Sequence, residues 1–153
     1  MVAPEVNDRP PAAYVRTVSR RAGPPPAGPI QSGLTASVTH VVTEADTAAA
    51  MGSGDVPVLA TPRVVALAEQ ATCAAVAGAL APDRTTVGSE VQLTHLAPTP
   101  VGGEVTADAL LESVEGRRLN FKVTVSDRRG LIAAGYVTRV LVDRERFVER
   151  AEG

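Results

Sequence analysis

The sequence predicts an α+β domain in which one long helix lies against a single antiparallel sheet. Three observations lead there: one helix-periodic segment stands alone mid-chain, four strand-like segments follow it, and short turns join most of these. A lone helix is not half of a doubly wound sheet, which needs helices on both faces.

Taken in order, residues 1–33 hold Pro4, Pro10, Pro11, Pro24, Pro25, Pro26 and Pro29, more than half of the chain's 12 prolines. Proline removes a backbone donor and restricts the residue before it, so regular structure is not expected here. The stretch reads as a disordered or extended tail, with GPPPAGP as a polyproline-like linker. Its alternative is a docking peptide for a proline-reading module. The folded domain is expected over residues 34–143, opening with a Val- and Thr-rich strand at 34–43 and a loop region at 44–58.

The helix is TPRVVALAEQATCAAVAGAL. Thr61 and Pro62 give a helix-start signal, a capping hydroxyl followed by proline in the first turn. Val64, Leu67, Ala68, Ala71, Ala75 and Gly78 recur at helical spacing and form one narrow apolar face. Pro82 ends the segment. Strands are then expected at residues 86–96, 104–114, 118–126 and 131–142. In the second of these, Val105, Ala107, Ala109 and Leu111 alternate with Glu104, Thr106, Asp108 and Leu110, the pattern of a half-buried strand. Glu115 and Gly116 make a hairpin turn, after which Leu119, Phe121, Val123 and Val125 point one way. Residues 144–153 are charged and read as a frayed C-terminal end. A long central helix wrapped by one curved antiparallel sheet is the hot-dog arrangement.

Composition narrows the function classes. At 153 residues the chain suits one domain. A net charge of -2 offers no basic footprint for nucleic acid. No run of about 18 apolar residues exists, so no membrane span is expected. The first residues carry Pro, Asn, Asp and Glu where a secretion signal would be apolar, and a cytoplasmic location is expected. Cys73 is the sole cysteine, which rules out an internal disulfide and a cysteine-rich zinc site. Two histidines without a carboxylate cluster make a poor metal site, so no metal and no cofactor are expected. With two Phe, two Tyr and no Trp, the core must come from Val, Leu, Ala and Ile. Such small side chains bury less area each, at roughly 25 cal/mol per Å², and packing a second copy of the chain would help.

Residues 58–147 resemble the fluoroacetyl-CoA thioesterase family, a branch of the hot-dog hydrolases. ATPRVVALAEQATC resembles its helix-opening segment, with a Thr and a Glu eight residues later. VGSEVQLTHLAPTP resembles a strand with a Gly and then Thr-His, and SVEGRRLNFKV resembles its hairpin. The last strand and the charged RERF ending agree more loosely. The resemblance implies that Thr61, Glu69 and His95 are catalytic and that the main-chain amide at Gly88 holds the thioester oxygen. It also implies a homodimer with sites at the subunit boundary.

The chemistry suits those residue types. Thioester hydrolysis needs water or a side chain to attack a carbonyl, and something to stabilise the developing oxyanion. A carboxylate such as Glu69 can take water's proton or attack directly. An imidazole such as His95 exchanges protons near neutrality, and Thr61 can position water or Glu69. Gly88, without a side chain, admits a carbonyl close to the backbone. Ideal helix geometry sets a difficulty: eight residues are about 12 Å of rise and roughly 80° of rotation, so Thr61 and Glu69 do not meet on one straight helix.

Plainer readings stand beside these. Thr61 is by itself an N-cap, and His95 a strand-end histidine. Glu69 is the only charged residue between Arg63 and Asp83, and a carboxylate in an Ala- and Val-rich helix is either solvated or buried for a reason. His40 reads as an ordinary strand residue, Cys73 as a small core filler, and Gly102 with Gly103 as a turn. Arg117, Arg118, Arg128 and Arg129 lie at hairpin ends, where they are either solvated or suited to the phosphates of coenzyme A. The leading function is hydrolysis of an acyl-CoA or acyl-carrier thioester. A non-catalytic acyl-CoA-binding module is the alternative, and an enoyl-thioester hydratase or dehydratase ranks last.

Overall fold

The computed structural model describes residues 17–19 and 30–153. Expectations for residues 1–16 and 20–29, including the polyproline-like linker, fall outside the described residues.

Among the described residues, six strands form one antiparallel sheet: β1 (Thr17–Ser19), β2 (Thr35–Val41), β3 (Arg84–His95), β4 (Glu104–Glu115), β5 (Arg118–Asp127) and β6 (Gly130–Asp143), in the order β1-β2-β4-β5-β6-β3. Three helices accompany them: the four-residue α1 (Ala48–Met51), the long α2 (Thr61–Val76) and α3 (Arg144–Glu152). The long helix lies across the sheet, chiefly against β2 and β4. This is the hot-dog arrangement the sequence led us to expect.

Alternation sets the sheet's inner face. Val105, Ala107, Ala109 and Leu111 on β4, and Leu119, Phe121, Val123 and Val125 on β5, are all buried against α2. The helix answers with Val64, Leu67, Ala68, Ala71 and Ala75. Alanine on that face lets the helix axis approach the sheet, and larger side chains on β5 fill the remaining depth. Fully burying one such Leu, Val or Phe contributes about 1.5–3 kcal/mol.

Four expectations need correction. Thr17–Ser19 is a strand, pairing antiparallel with Thr39–Ser37 of β2, although the whole stretch before residue 34 was expected to lack regular structure. No proline falls between Pro11 and Pro24, so these residues keep the backbone donors that a ladder needs. The C-terminal end is the helix α3, capped by Asp143, whose side chain accepts from the Arg146 N–H at 3.0 Å. The loop region before α2 contains a 3₁₀ turn at Glu44–Asp46 as well as α1. Gly78 and Cys73 are exposed: the apolar face ends at Val76, where a 3₁₀ turn begins, and Cys73 lies outside the buried row of Ala71, Thr72, Ala75 and Val76.

His40 is also more than an ordinary strand residue. It is fully buried, with Nε2 2.8 Å from Oδ2 of Asp46, whose Oδ1 accepts from Arg63 Nε at 2.9 Å. This cluster joins β2 to the first turn of α2. Burial opposes ionisation of Asp46, but hydrogen bonds from the Thr43 backbone, His40, the Thr43 hydroxyl and Arg63 outweigh it and hold the carboxyl below its ordinary value. A carboxyl depressed on folding stabilises the native state above its unfolded pKa, and that contribution fades as pH falls through the folded value. Asp46→Asn is therefore expected to cost about 1–3 kcal/mol at pH 7. The deficit relative to the parent should shrink below about pH 4, as read from urea midpoints across pH. A deficit independent of pH would contradict the charged form of Asp46 as the stabilising species.

Candidate active site

The four residues expected to form the site fall into two pairs. Thr61 Oγ1 lies 2.7 Å from His95 Nδ1. The hydroxyl is not an N-cap, as the sequence suggested: Ala60 occupies that position and Thr61 is the first helical residue. Its side chain is thus free to reach the end of β3. With Nδ1 engaged by Thr61, His95 Nε2 is buried and has no partner among the described residues.

The second pair is Glu69 and Gly88. Glu69 projects from the third turn of α2 toward the early part of β3, and its side chain is 35% exposed. It is anchored by Arg139 of β6, whose Nη1 donates to Glu69 Oε2 at 3.0 Å. Arg139 is 5% exposed, and its remaining donors are used within β3, Nε to Thr86 Oγ1 and Nη2 to the Thr86 carbonyl, both at 2.9 Å. A side chain at position 88 would run into the Glu69 carboxylate, while meeting Arg139 only at ordinary contact distance. Gly88 therefore makes room for Glu69, whatever else it does.

Arg139 was not foreseen from the sequence. The signal was present: it stands on the same side of β6 as Val137 and Ala133, a row that faces the core, and a charge in such a row calls for an acidic partner.

Within one protomer the two pairs stay apart. Thr61 and Glu69 are separated by about 12 Å of helix, and Gly88 and His95 by roughly 20 Å of strand. They nevertheless share a face of the sheet. A spacing of seven would put Gly88 and His95 on opposite faces, but the β3–β6 register shifts between Gly88 and Glu90. The extra residue restores the phase, so Gly88, Val91, Leu93 and His95 stand opposite Arg139, Val137, Gly135 and Ala133 on the inner face.

Because a side chain at position 88 meets the Glu69 carboxylate, Gly88→Ala acts on stability through Glu69. In the parent it should cost about 1–3 kcal/mol by separating a buried guanidinium from its carboxylate. In a Glu69→Ala background the same change should cost little, because the obstructing side chain is gone. Urea unfolding of the four proteins checks this, and equal costs in both backgrounds would contradict it.

Residues 42–145 match the sequence model of the fluoroacetyl-CoA-specific thioesterase family. The fluoroacetyl-CoA thioesterase of Streptantibioticus cattleyicolor is 40% identical over 90 residues, 59% of this chain and 65% of that protein. The match thus spans just under two thirds of that relative's length. A solved fluoroacetyl-CoA thioesterase is 31% identical, with a TM-score of 0.77 over 82% of this chain and 97% of that one. A mutant of such an enzyme, solved with acetyl-CoA, gives 30% identity and a TM-score of 0.77 over 80% and 97% of the two chains. A hypothetical protein of Thermus thermophilus, a thioesterase superfamily member, is 31% identical, with a TM-score of 0.71 over 81% and 97%.

Proposed function

The chain belongs to the fluoroacetyl-CoA-specific thioesterase family, and from that premise we propose that it is a thioester hydrolase acting on an acyl-CoA as a homodimer. Each of the two sites draws Thr61 and His95 from one protomer and Glu69 and Gly88 from the other. The observation that carries this reading is the position of β3. It is the last strand of the sheet, twelve residues long, and both half-sites sit on its inner face.

A strand of that length with a free edge invites pairing. Two copies joined antiparallel about a two-fold axis near Gln92 would set Val91 against the partner subunit's Leu93. With the extra residue of the bulge at Ser89 left out of the count, the same register sets Gly88 against the partner subunit's His95. A two-fold interface repeats every contact, so both ends of the joined strands become sites. The partly buried Val91 and Leu93 pack against the core and extend it toward the boundary.

The assembled residues divide the work. Glu69, held by Arg139 through Oε2, keeps Oε1 for a water molecule or for direct attack on the thioester carbonyl. The main-chain N–H at Gly88 is the proposed donor to the oxyanion, beside the Glu69 carboxylate that fills the space a side chain would take there. A Thr61 hydroxyl that donates to His95 Nδ1 leaves the ring hydrogen on Nε2, the atom that has no partner among the described residues. That N–H then faces the reacting centre, to orient water or to protonate the departing thiolate.

The acyl group is set by different residues. Residues 35–120 contain no Phe, Tyr or Trp, so a gate built from them is aliphatic, and selectivity for fluoroacetate is not part of the proposal. No helix among the described residues is long and apolar enough to cross a membrane. The reading places the chain in the cytoplasm, where CoA thioesters are made and used.

Two measurements test the proposal. Thiol release across acyl-CoA substrates of graded length should show turnover that Glu69→Gln lowers by at least about 10². Saturable binding without thiol release, or full activity in the variant, would replace hydrolysis with a binding role. Mixing inactive Glu69→Gln and His95→Ala chains should regenerate about a quarter of parent activity, because half of the random dimers then hold one intact site. No recovery after subunit exchange has been verified would mean that each site is built within one chain.

A further inference from the structure

A second feature lies at the opposite end of β3 from His95. Arg84 at the start of β3, Arg117 in the β4–β5 turn, and Arg146 and Arg150 of α3 line one cleft of about 240 Å³, together with Phe147 and Val142. Backbone ties bring these elements together: Arg144 N–H donates to the Asp83 carbonyl at 3.0 Å, and Leu141 N–H to the Arg117 carbonyl at 2.8 Å. Arg146 and Arg150 are one helical turn apart, and Phe147 shares their side of α3. None of Arg117, Arg146 and Arg150 has an ion-pair partner among the described residues, and Arg84 has only an exposed contact at 4.0 Å with Asp83. Among the described residues Asp143 is the one carboxylate lining the cleft, and it accepts from the Arg146 N–H as the cap of α3.

Four guanidinium groups around one aromatic ring are the groups that recognise a phosphorylated nucleotide. Guanidinium forks match phosphate oxygens, and a ring face accepts a stacked base. Phe147 is 38% exposed, in a chain with few aromatics, and lines the cleft. The location also fits. Arg84 and Gly88 lie on the same face of β3, four residues apart, about 13 Å, a distance that the pantetheine arm of coenzyme A bridges.

We infer that this arginine-lined cleft receives the 3′-phosphorylated nucleotide end of the coenzyme A substrate, and so directs the chain to CoA thioesters. The inference rests on the thioesterase reading, which supplies the thioester at Gly88. Three of its residues, Arg146, Phe147 and Arg150, lie beyond the family match at residues 42–145. An acidic carrier protein is the less favoured occupant. The remaining sides of α3 carry Glu145, Glu149 and Glu152, which would oppose a broad acidic surface and leave a compact phosphate group unaffected.

The experiment separates the cleft from the catalysis. Adenosine 3′,5′-bisphosphate, titrated calorimetrically into the full chain, should bind, more weakly at high salt. The double variant Arg146→Glu/Arg150→Glu should lose that binding at least about tenfold. The ratio of kcat/KM for an acyl-CoA over that for the matching acyl-pantetheine should fall by a similar factor, and Phe147→Ala should lower it too. Bisphosphate binding without any thiol release would overturn the hydrolase reading and support the cleft. Thiol release with no bisphosphate binding, or with the substrate ratio unchanged in the double variant, would overturn the cleft and spare the hydrolase. A double variant impaired on acyl-carrier protein but not on acyl-CoA would also overturn it, by assigning the arginines to the carrier.

Discussion

On the inner face of the sheet the Glu69 carboxylate meets the Arg139 guanidinium, and the absence of a side chain at Gly88 is what lets it lie there. A guanidinium as buried as Arg139 persists only when its donors are matched, and here Thr86 and Glu69 match them. Those bonds tie three elements at one point: the third turn of α2, the first half of β3 and the last half of β6. The net stability from such a pair is modest, because desolvation of the arginine offsets much of the attraction and Glu69 keeps partial contact with water. Its larger effect is orientation. An unpaired glutamate on a helix surface samples many rotamers, whereas this one is held in a fixed direction with one oxygen to spare.

That anchor explains why the two half-sites depend on the same pair of elements. The long helix carries Thr61 at its start and Glu69 in its third turn, while β3 carries Gly88 and His95. Helix and strand run in opposite directions, so each end of the helix meets its own end of the strand. The buried His40–Asp46–Arg63 cluster fixes the start of α2 much as Arg139 fixes its middle. Helix position is thus set by two charged contacts, and the alanine-rich face between them supplies close packing with little side-chain interlocking of its own.

The strands were legible because alternation survives in β4 and β5, where every second residue is apolar, and the helix because its apolar face repeats at 3.6 residues. One half of the Glu69–Arg139 contact was legible in Glu69, a lone charge in a greasy helix. Other features were hidden for physical reasons. The bulge at Ser89 leaves no mark in the sequence, and without it Gly88 and His95 seem to face opposite ways. Thr61 before Pro62 reads as a cap because local sequence cannot show that Ala60 takes that place and leaves the hydroxyl to His95. Arg139 was readable from its apolar row, but only with the phase of β6 in hand. The capping signal of Asp143 before α3 was overlooked because the segment's high charge suggested fraying.

The separation of the half-sites gives the proposed dimer its logic. One protomer holds the Glu69 carboxylate beside Gly88, the proposed oxyanion position, at one end of β3 and a hydroxyl-bound imidazole at the other, and on that proposal neither end alone has an acid, a base and a place for the carbonyl. Antiparallel joining of two such strands supplies at each end what that end lacks, using a single set of residues twice. The same joining covers the edge that β3 leaves unpaired among the described residues and adds apolar contact to a core built from small side chains. Folding stability and catalytic competence would then draw on one interface, so a chain that failed to pair would be marginally stable and inactive together.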